Sequence, residues 1–383
     1  MSGAASSTPA SGEIRRRIIA RGRIPFAEFM ALALYHAEHG YYTRPGATTG
    51  PRGDYSTSSD VSPAFGRRLA VQAGEVASRL GEGPWRLVEL GPGRGLAAID
   101  MLDGLDRYAP DERSRLLEVV LIEPSDSLAA AQVARIAAAH PEVRVVRHRS
   151  LAQLPDSSVR GFVLANEVLD ALPVHTVIRR REGLAESYVT TGESGQLLLC
   201  EGPLSDRRLG TLVERYRLCR RPGERAEISL ELEPLIAELA RAVAAGSALF
   251  IDYGLDAEQL ADETRAARGT LVAYYRHRVE DDLLARAGEQ DLTAHVNWTH
   301  FDDAALAAGW QIAGRTSQDK LLLALGLMDD LLARPGRRTA REEMRRLAAR
   351  ALIMPGSGAG KRFQASLLVK QIGADLRGLR PIT

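Results

Sequence analysis

Cysteine and lysine are almost missing from this chain. Two cysteines, Cys200 and Cys219, in 383 residues cannot build a disulfide framework or a four-cysteine zinc site. They suit a reducing compartment, read here as the cytoplasm. Lysine occurs only as Lys320, Lys361 and Lys370 among 50 basic residues. With so much Arg and Ala, this is the mark of a GC-rich genome rather than of RNA binding. The charges nearly cancel, leaving +1, which argues against general nucleic-acid binding. No apolar run approaches a membrane span. Residues 1–12 lack the charged and apolar regions of a signal peptide and read as a disordered tail. Aromatics make up only 5%, yet 45% of the chain is hydrophobic, enough for a large globular core.

What is present organises around Trp85-Arg-Leu-Val-Glu-Leu-Gly-Pro-Gly-Arg-Gly-Leu96. Residues 86–90 predict a buried strand, residues 96–105 a helix, and Gly91, Gly93 and Gly95 the turn between them. Glycine lets backbone approach a ligand, and a helix N-terminus offers free N–H groups. The G-x-G-x-G spacing differs from the dinucleotide fingerprint, which disfavours a nicotinamide oxidoreductase, and no P-loop lysine follows. With Glu89 just ahead, the stretch looks like motif I of S-adenosylmethionine (SAM) methyltransferases; a bare strand–helix turn is the plain alternative.

The flanking pattern alternates strand and helix. Strands are expected at 118–123, 143–147, 161–165 and 248–253, with two more at 310–315 and 363–370. A parallel sheet with helices on both faces follows. Upstream, residues 13–20 and a segment from Ile24 and Pro25 predict helices, the second burying Phe26, Phe29, Met30 and Ala33. The aromatic run 35–42 reads as packing. Residues 46–62 read as a hydroxyl-rich loop, its part 53–62 suited to a lid over the cofactor. Residues 174–201 break the alternation with an inserted β-meander, and 269–300 looks irregular. The domain reading is a tail at 1–12, N-terminal helices and active-site loop at 13–82, and a Rossmann-like SAM-binding core at 83–173. An inserted subdomain follows at 174–245, then the rest of the core at 246–383 with a helical insertion near 329–352.

Three groups of residues carry candidate chemistry. Glu123 ends the second strand, where a carboxylate accepts both ribose hydroxyls; its distance from Gly91 exceeds the usual interval, which a longer connection at 108–115 absorbs. Glu89 can orient backbone or the SAM ammonium group. Asn166, Glu167 and Asp170 follow the fourth strand at the ligand-binding edge. One helical turn would put both acids on one face, suited to a guanidinium or to general-base work; helix capping is the alternative. Residues 291–298 alternate as a strand that would line a cleft with Asp291, Thr293, His295 and Asn297, or stand as a plain half-exposed strand. His295 with His277 and His300 forms no compact ligand motif, so no metal is expected.

These segments together resemble the MidA-like family of SAM-dependent methyltransferases, which includes the mitochondrial complex I assembly factor that methylates an arginine. The similar stretches are Phe29 to Thr43, Gly53-Asp-Tyr-Ser-Thr57, Val88-Glu-Leu-Gly-Pro-Gly-Arg-Gly95, Ala165-Asn-Glu-Val-Leu-Asp-Ala-Leu-Pro-Val-His175, Ile251-Asp-Tyr-Gly254 and Asp291-Leu-Thr-Ala-His-Val296. The resemblance implies a class I methyltransferase fold, an α/β Rossmann-like sheet with an inserted β-containing subdomain and N-terminal helices. It places SAM, and S-adenosylhomocysteine as product, against Gly91, Gly93, Gly95 and Glu123. It also draws Gly53, Asp54 and the Asn166–Glu167 segment into the cleft. Departures at 59–62 and at Val168-Leu169 fall nearest the acceptor, so protein arginine leads, with another peptide or a small metabolite as alternatives. A non-catalytic SAM-binding assembly factor is the competing class.

Overall fold

The computed structural model describes residues 8–44, 50, 53, 54, 56–332, 339–354 and 362–382. Seven strands build the central sheet: β1 (Trp85–Leu90), β2 (Leu116–Ile122), β3 (Val145–His148), β4 (Val159–Asn166), β5 (Val243–Leu255), β6 (Gln311–Ser317) and β7 (Phe363–Lys370). Their spatial order is β3-β2-β1-β4-β5-β7-β6, with Val296–Asn297 pairing in parallel against the end of β5. This is the expected class of sheet, with one difference: β7 runs antiparallel to both β5 and β6. An apolar run looks the same in either direction, so strand polarity was invisible in the sequence.

Strands β1, β4 and β5 are buried on both faces, which is why they read as continuous apolar runs. One face is covered by helices α3 (Ala64–Arg79) and α4 (Leu96–Tyr108). These two pack closely because Gly66, Gly74 and Gly104 leave room; a Cβ on Gly66 would stand 2.5 Å from Asp100 Cβ. The opposite face is covered by α6 (Leu232–Ala242) and α7 (Trp298–Ala307). Between α4 and β2, the short helix Pro110–Ser114 supplies the extra length before Glu123.

Helices α1 (Pro9–Arg21) and α2 (Phe26–Tyr35) form a second core in which Phe26, Phe29, Met30 and Ala33 are all buried. The expected tail is therefore shorter: Thr8 caps α1, Pro9 sits at its first turn, and residues 1–7 lie outside the described chain. The insertion is a meander of His175–Arg180, Gly183–Thr191 and Leu197–Gly202, closed by Arg225–Ile228. Ile24–Pro25 pairs with Val189 and Tyr188, tying the N-terminal helices to it. The stretch expected to be irregular holds a three-stranded sheet of Val272–Tyr275, Arg278–Glu280 and Asp291–Thr293. The helical insertion is present as Leu327–Leu332 and Ala340–Ala351, with 333–338 outside the described residues. No described helix is long and apolar enough to cross a membrane.

Candidate functional site

The glycine turn sits where β1 meets α4, and its register is fixed by the Gly91 N–H donating to Ile122 O at 3.0 Å. Gly91, Gly93 and Gly95 all have positive φ, at 56°, 51° and 72°, a region that side chains other than glycine rarely adopt. Gly91 and Gly93 are exposed, and nothing lies within 4 Å of a Cβ built on Gly93. The turn thus opens its backbone to a cleft, and Gly95 begins α4 with no side-chain cap, leaving its first N–H groups available to a ligand.

Glu123 lies at the end of β2, 5% exposed. Its carboxylate accepts from the Ser125 N–H at 2.9 Å and from Gln132 Nε2 at 3.0 Å. Gln132 also donates to Gly93 O at 2.7 Å, so one side chain joins Glu123 to the glycine turn. Burial pushes the Glu123 carboxyl upward against those hydrogen bonds. Glu89 is turned to the Ala98 N–H at the start of α4, which holds backbone rather than reaching into the cleft, and burial pushes it up to about 8. Glu89 Oε2 and Gln132 Oε1 are buried without a partner. Free glycine backbone, a ribose-height carboxylate and unfilled hydrogen-bonding atoms fit an adenosyl ligand.

Across the cleft is the segment after β4. The expected helical turn does not form. Glu167 is left-handed, φ 56°, and donates its N–H to Ile251 O at 2.8 Å. The N–H groups of Val168, Leu169 and Asp170 all point at Asp252 Oδ2, at 3.1, 2.8 and 3.2 Å. Those three donors would otherwise open a helix; a buried carboxylate from β5 collects them instead. Glu167 and Asp170 still come together, through this loop rather than through helix spacing. Asn166 donates to Glu167 Oε1 at 3.0 Å. Glu167 keeps some accessible surface toward the cleft, although its carboxyl is surrounded by protein; burial first, then the Asp170 charge, raises it to about 8. Burial raises Asp170 to about 6. The loop touches the cofactor side, since a Cβ on Gly91 would meet Val168 Cγ2 at 3.2 Å.

Tyrosines of the aromatic run, expected only to pack, complete this wall together with Asp291, which was expected to line a cleft. Tyr42 donates to Asp291 Oδ1 at 2.7 Å, Tyr41 to Asp54 Oδ2 at 2.9 Å and Tyr35 to Ala171 O at 2.9 Å. Asp291 is buried and raised to about 7 by that burial. The aromatic run does pack, as expected, but its hydroxyls also order the acids. Tyr253, next to Asp252, turns its buried hydroxyl toward Asp170 and Thr293, and its pKa is raised by burial and by the Asp170 charge.

Two expectations shift. Asp54 has both oxygens engaged, by Tyr41 and by the Arg276 N–H at 2.7 Å; with buried Gly53 it lies beside Asp291. The strand expected over 291–298 breaks after Thr293: Val296–Asn297 pairs instead with the end of β5, and the Asn297 side chain accepts from the N–H groups of Thr299 and His300 and starts α7. His295 therefore leaves the row. Its ring meets the edge of Tyr253 at 5.4 Å, its Nδ1 is unpaired, and burial lowers its pKa. Among the described residues no group of three or more His, Cys, Asp or Glu is placed to hold a metal.

Of the loop expected over 46–62, residues 46–49, 51, 52 and 55 lie outside the described chain, the last of them within the lid expected at 53–62. The part that is described lies over the glycine turn: Thr57 and Asp60 form a capping box, and Asp60 pairs with Arg94 at 2.8 Å. Ser58 donates to Gln318 Oε1 at 3.0 Å, and its backbone N–H faces Glu167.

Residues 68–316 match a family model of S-adenosyl-L-methionine-dependent methyltransferases. The chain is 26% identical to mouse mitochondrial protein arginine methyltransferase NDUFAF7, over 93% of this chain and 83% of that protein. It is 31% identical to the Drosophila melanogaster homologue, over 75% and 67%. A Burkholderia thailandensis crystal structure with S-adenosyl-homocysteine bound superposes with TM-score 0.86 at 27% identity, covering 96% of this chain and 94% of that one. The cytoplasmic expectation is overturned, since the curated relatives are named as mitochondrial proteins. Scarce cysteine suits any reducing compartment and could not separate the two.

Proposed function

Because the chain belongs to the family of SAM-dependent methyltransferases, we propose that it methylates an arginine side chain of a protein, with Glu167 and Asp170 as the residues that receive it. The observation that carries this reading is the pair of buried carboxylates brought together beside the glycine turn. Two acids in a low-dielectric wall repel each other, and a guanidinium relieves that repulsion with bidentate hydrogen bonds. The curated relatives named as protein arginine methyltransferases support the same acceptor.

In this reading Gly91, Gly93 and Gly95 offer backbone to SAM, Glu123 takes the ribose hydroxyls, and Glu89 holds the start of α4. When bound, SAM supplies an electron-poor methyl group on a sulfonium sulfur. Glu167 and Asp170 would orient one guanidinium nitrogen toward that methyl group, and Glu167 would accept the proton it releases as the N–C bond forms and the S–C bond breaks, with S-adenosylhomocysteine leaving. Asn166 fixes the Glu167 carboxylate, while Gly53 and Asp54 brace the tyrosine wall. His295 acts only through Tyr253. The residues 56–62 loop excludes water.

The test is transfer of labelled methyl from SAM to the proteins of a lysate, followed by mass spectrometry of the modified residue. Arginine is the expected site. Label on lysine, on small molecules alone, or nowhere while SAM still binds would overturn the assignment. A pH profile adds a second check. A carboxyl raised to about 8 is protonated, and cannot take a proton, below that pH. The kcat/KM for the acceptor, which reports the free enzyme, should therefore rise with pH to a plateau above about 8, and a kcat/KM flat from pH 6 to 9 would remove Glu167 as the base. For the lid, Asp60→Asn should weaken SAM binding about three- to tenfold by freeing Arg94 from a half-buried pair. Unchanged calorimetric affinity would mean that the contact has no hold on the cofactor.

A further inference from the structure

We infer that Asp252 is a positioning residue for the acceptor side of the site: its carboxylate, and not the loop's own sequence, sets the shape that presents Glu167 and Asp170. The inference rests on the reading that this loop faces the acceptor. Asp252 lies on β5, is 1% exposed, and projects beneath the loop that follows β4. Its Oδ2 accepts from three consecutive backbone N–H groups, those of Val168, Leu169 and Asp170. Its Oδ1 accepts from the Tyr253 N–H at 2.9 Å. One side chain thus ties Asp170 to Tyr253 in the acceptor wall and fixes the backbone that directly follows Glu167.

The loop needs such a tie. A glutamate at φ 56° is in a left-handed conformation that a residue with a Cβ rarely adopts. That conformation persists only when its surroundings determine it. Successive N–H groups closing on one acceptor form a nest, and here the acceptor is a carboxyl oxygen of the protein itself. The other fastenings hold the loop only at its ends. Glu167 N–H donates to Ile251 O, Ala294 N–H donates to Asp170 O at 2.9 Å, and Tyr35 reaches Ala171 O. Between them, Asp252 collects the three amides of the turn, beside a closing Leu172 N–H to Leu169 O bond at 3.3 Å. Among the described contacts the glycine turn donates no hydrogen bond to Asp252 and meets the loop only at Val168, so the cofactor side should depend on Asp252 little.

The experiment compares Asp252→Ala, Asp252→Asn and Glu167→Gln in the full chain. Three readouts are used: calorimetric affinity for SAM, amide hydrogen exchange over residues 166–172, and single-turnover methyl transfer to lysate protein. Asp252→Ala should keep SAM affinity within about twofold, lose protection at the three amides, and slow transfer about 100-fold, the scale of a small misplacement of reacting groups. Asp252→Asn keeps one oxygen for the three donors and should recover to within about tenfold of wild type. Full-speed transfer in Asp252→Ala, despite lost protection, overturns the inference. Parallel loss of SAM affinity and transfer in both Asp252 variants also overturns it, by showing a merely structural role. If Asp252→Ala does not fold, Asp252→Ser is read in its place, since its hydroxyl is too short to reach all three amides. The two readings fail separately. A fully active Glu167→Gln beside a slow Asp252→Ala removes the role of Glu167 but keeps the anchor; the reverse pattern removes only the anchor.

Discussion

Glu167→Gln should lower methyl transfer by about two to three orders of magnitude while leaving SAM affinity within about twofold, the range for removing a positioned general base. Glutamine keeps the length and the acceptor oxygen, so Asn166 retains its partner and the loop its shape. What is lost is the charge and the capacity to take a proton. In wild type that charge is strained, since burial and Asp170 raise the carboxyl to about 8. An incoming guanidinium would lower it again, which is how an acid that is awkward in the free enzyme becomes the base in the complex. Asp170 alone, raised only to about 6, is a weaker base and should not restore the rate. Single-turnover transfer beside calorimetry separates the outcomes. A slow variant with normal SAM affinity supports the role. Normal transfer ends it. A slow variant with weak SAM binding would move Glu167 to the cofactor side.

The cofactor half was legible in the sequence because its signals are local. A strand buried on both faces writes itself as an apolar run, and three positive-φ positions in one turn can only be glycine without strain. Glu123 followed from its place at a strand end. The acceptor half was legible in its residues but not in its geometry. Spacing suggested a helical turn at Glu167 and Asp170. The controlling partner, Asp252, lies 82 residues beyond Asp170, and no local pattern carries that pairing. The tyrosine wall failed for the same reason: Tyr42 meets Asp291 across 249 residues. At residues 291–298 a clean alternation was read as one strand, yet its first part pairs with Val272–Tyr274 and Val296–Asn297 pairs with β5 before Asn297 caps the next helix. Long-range acceptors decide such cases, and propensity does not foresee them.

Gly93→Val should reduce SAM affinity at least about 100-fold, and a matched control shows why this would reflect occupancy rather than strain. At φ 51° the valine backbone is strained, at a cost of about 1–2 kcal/mol. Gly81 offers the same strain elsewhere: its φ is 74°, and like Gly93 it has nothing within 4 Å of a built Cβ. Gly81 lies in the turn between α3 and β1, at the opposite end of β1 from the glycine loop. Valine there should cost similar stability and leave SAM binding intact. At Gly93 the empty volume is the cleft itself, bounded by Gln132, which holds Gly93 O at 2.7 Å and Glu123 at 3.0 Å. A branched side chain would fill ligand space and shift a carbonyl on which the ribose-side carboxylate depends. Melting temperatures lowered equally, with affinity lost only in Gly93→Val, would assign the open space to SAM. Affinity lost in both would mean that the glycines matter for folding alone, and affinity lost in neither would place SAM away from this turn.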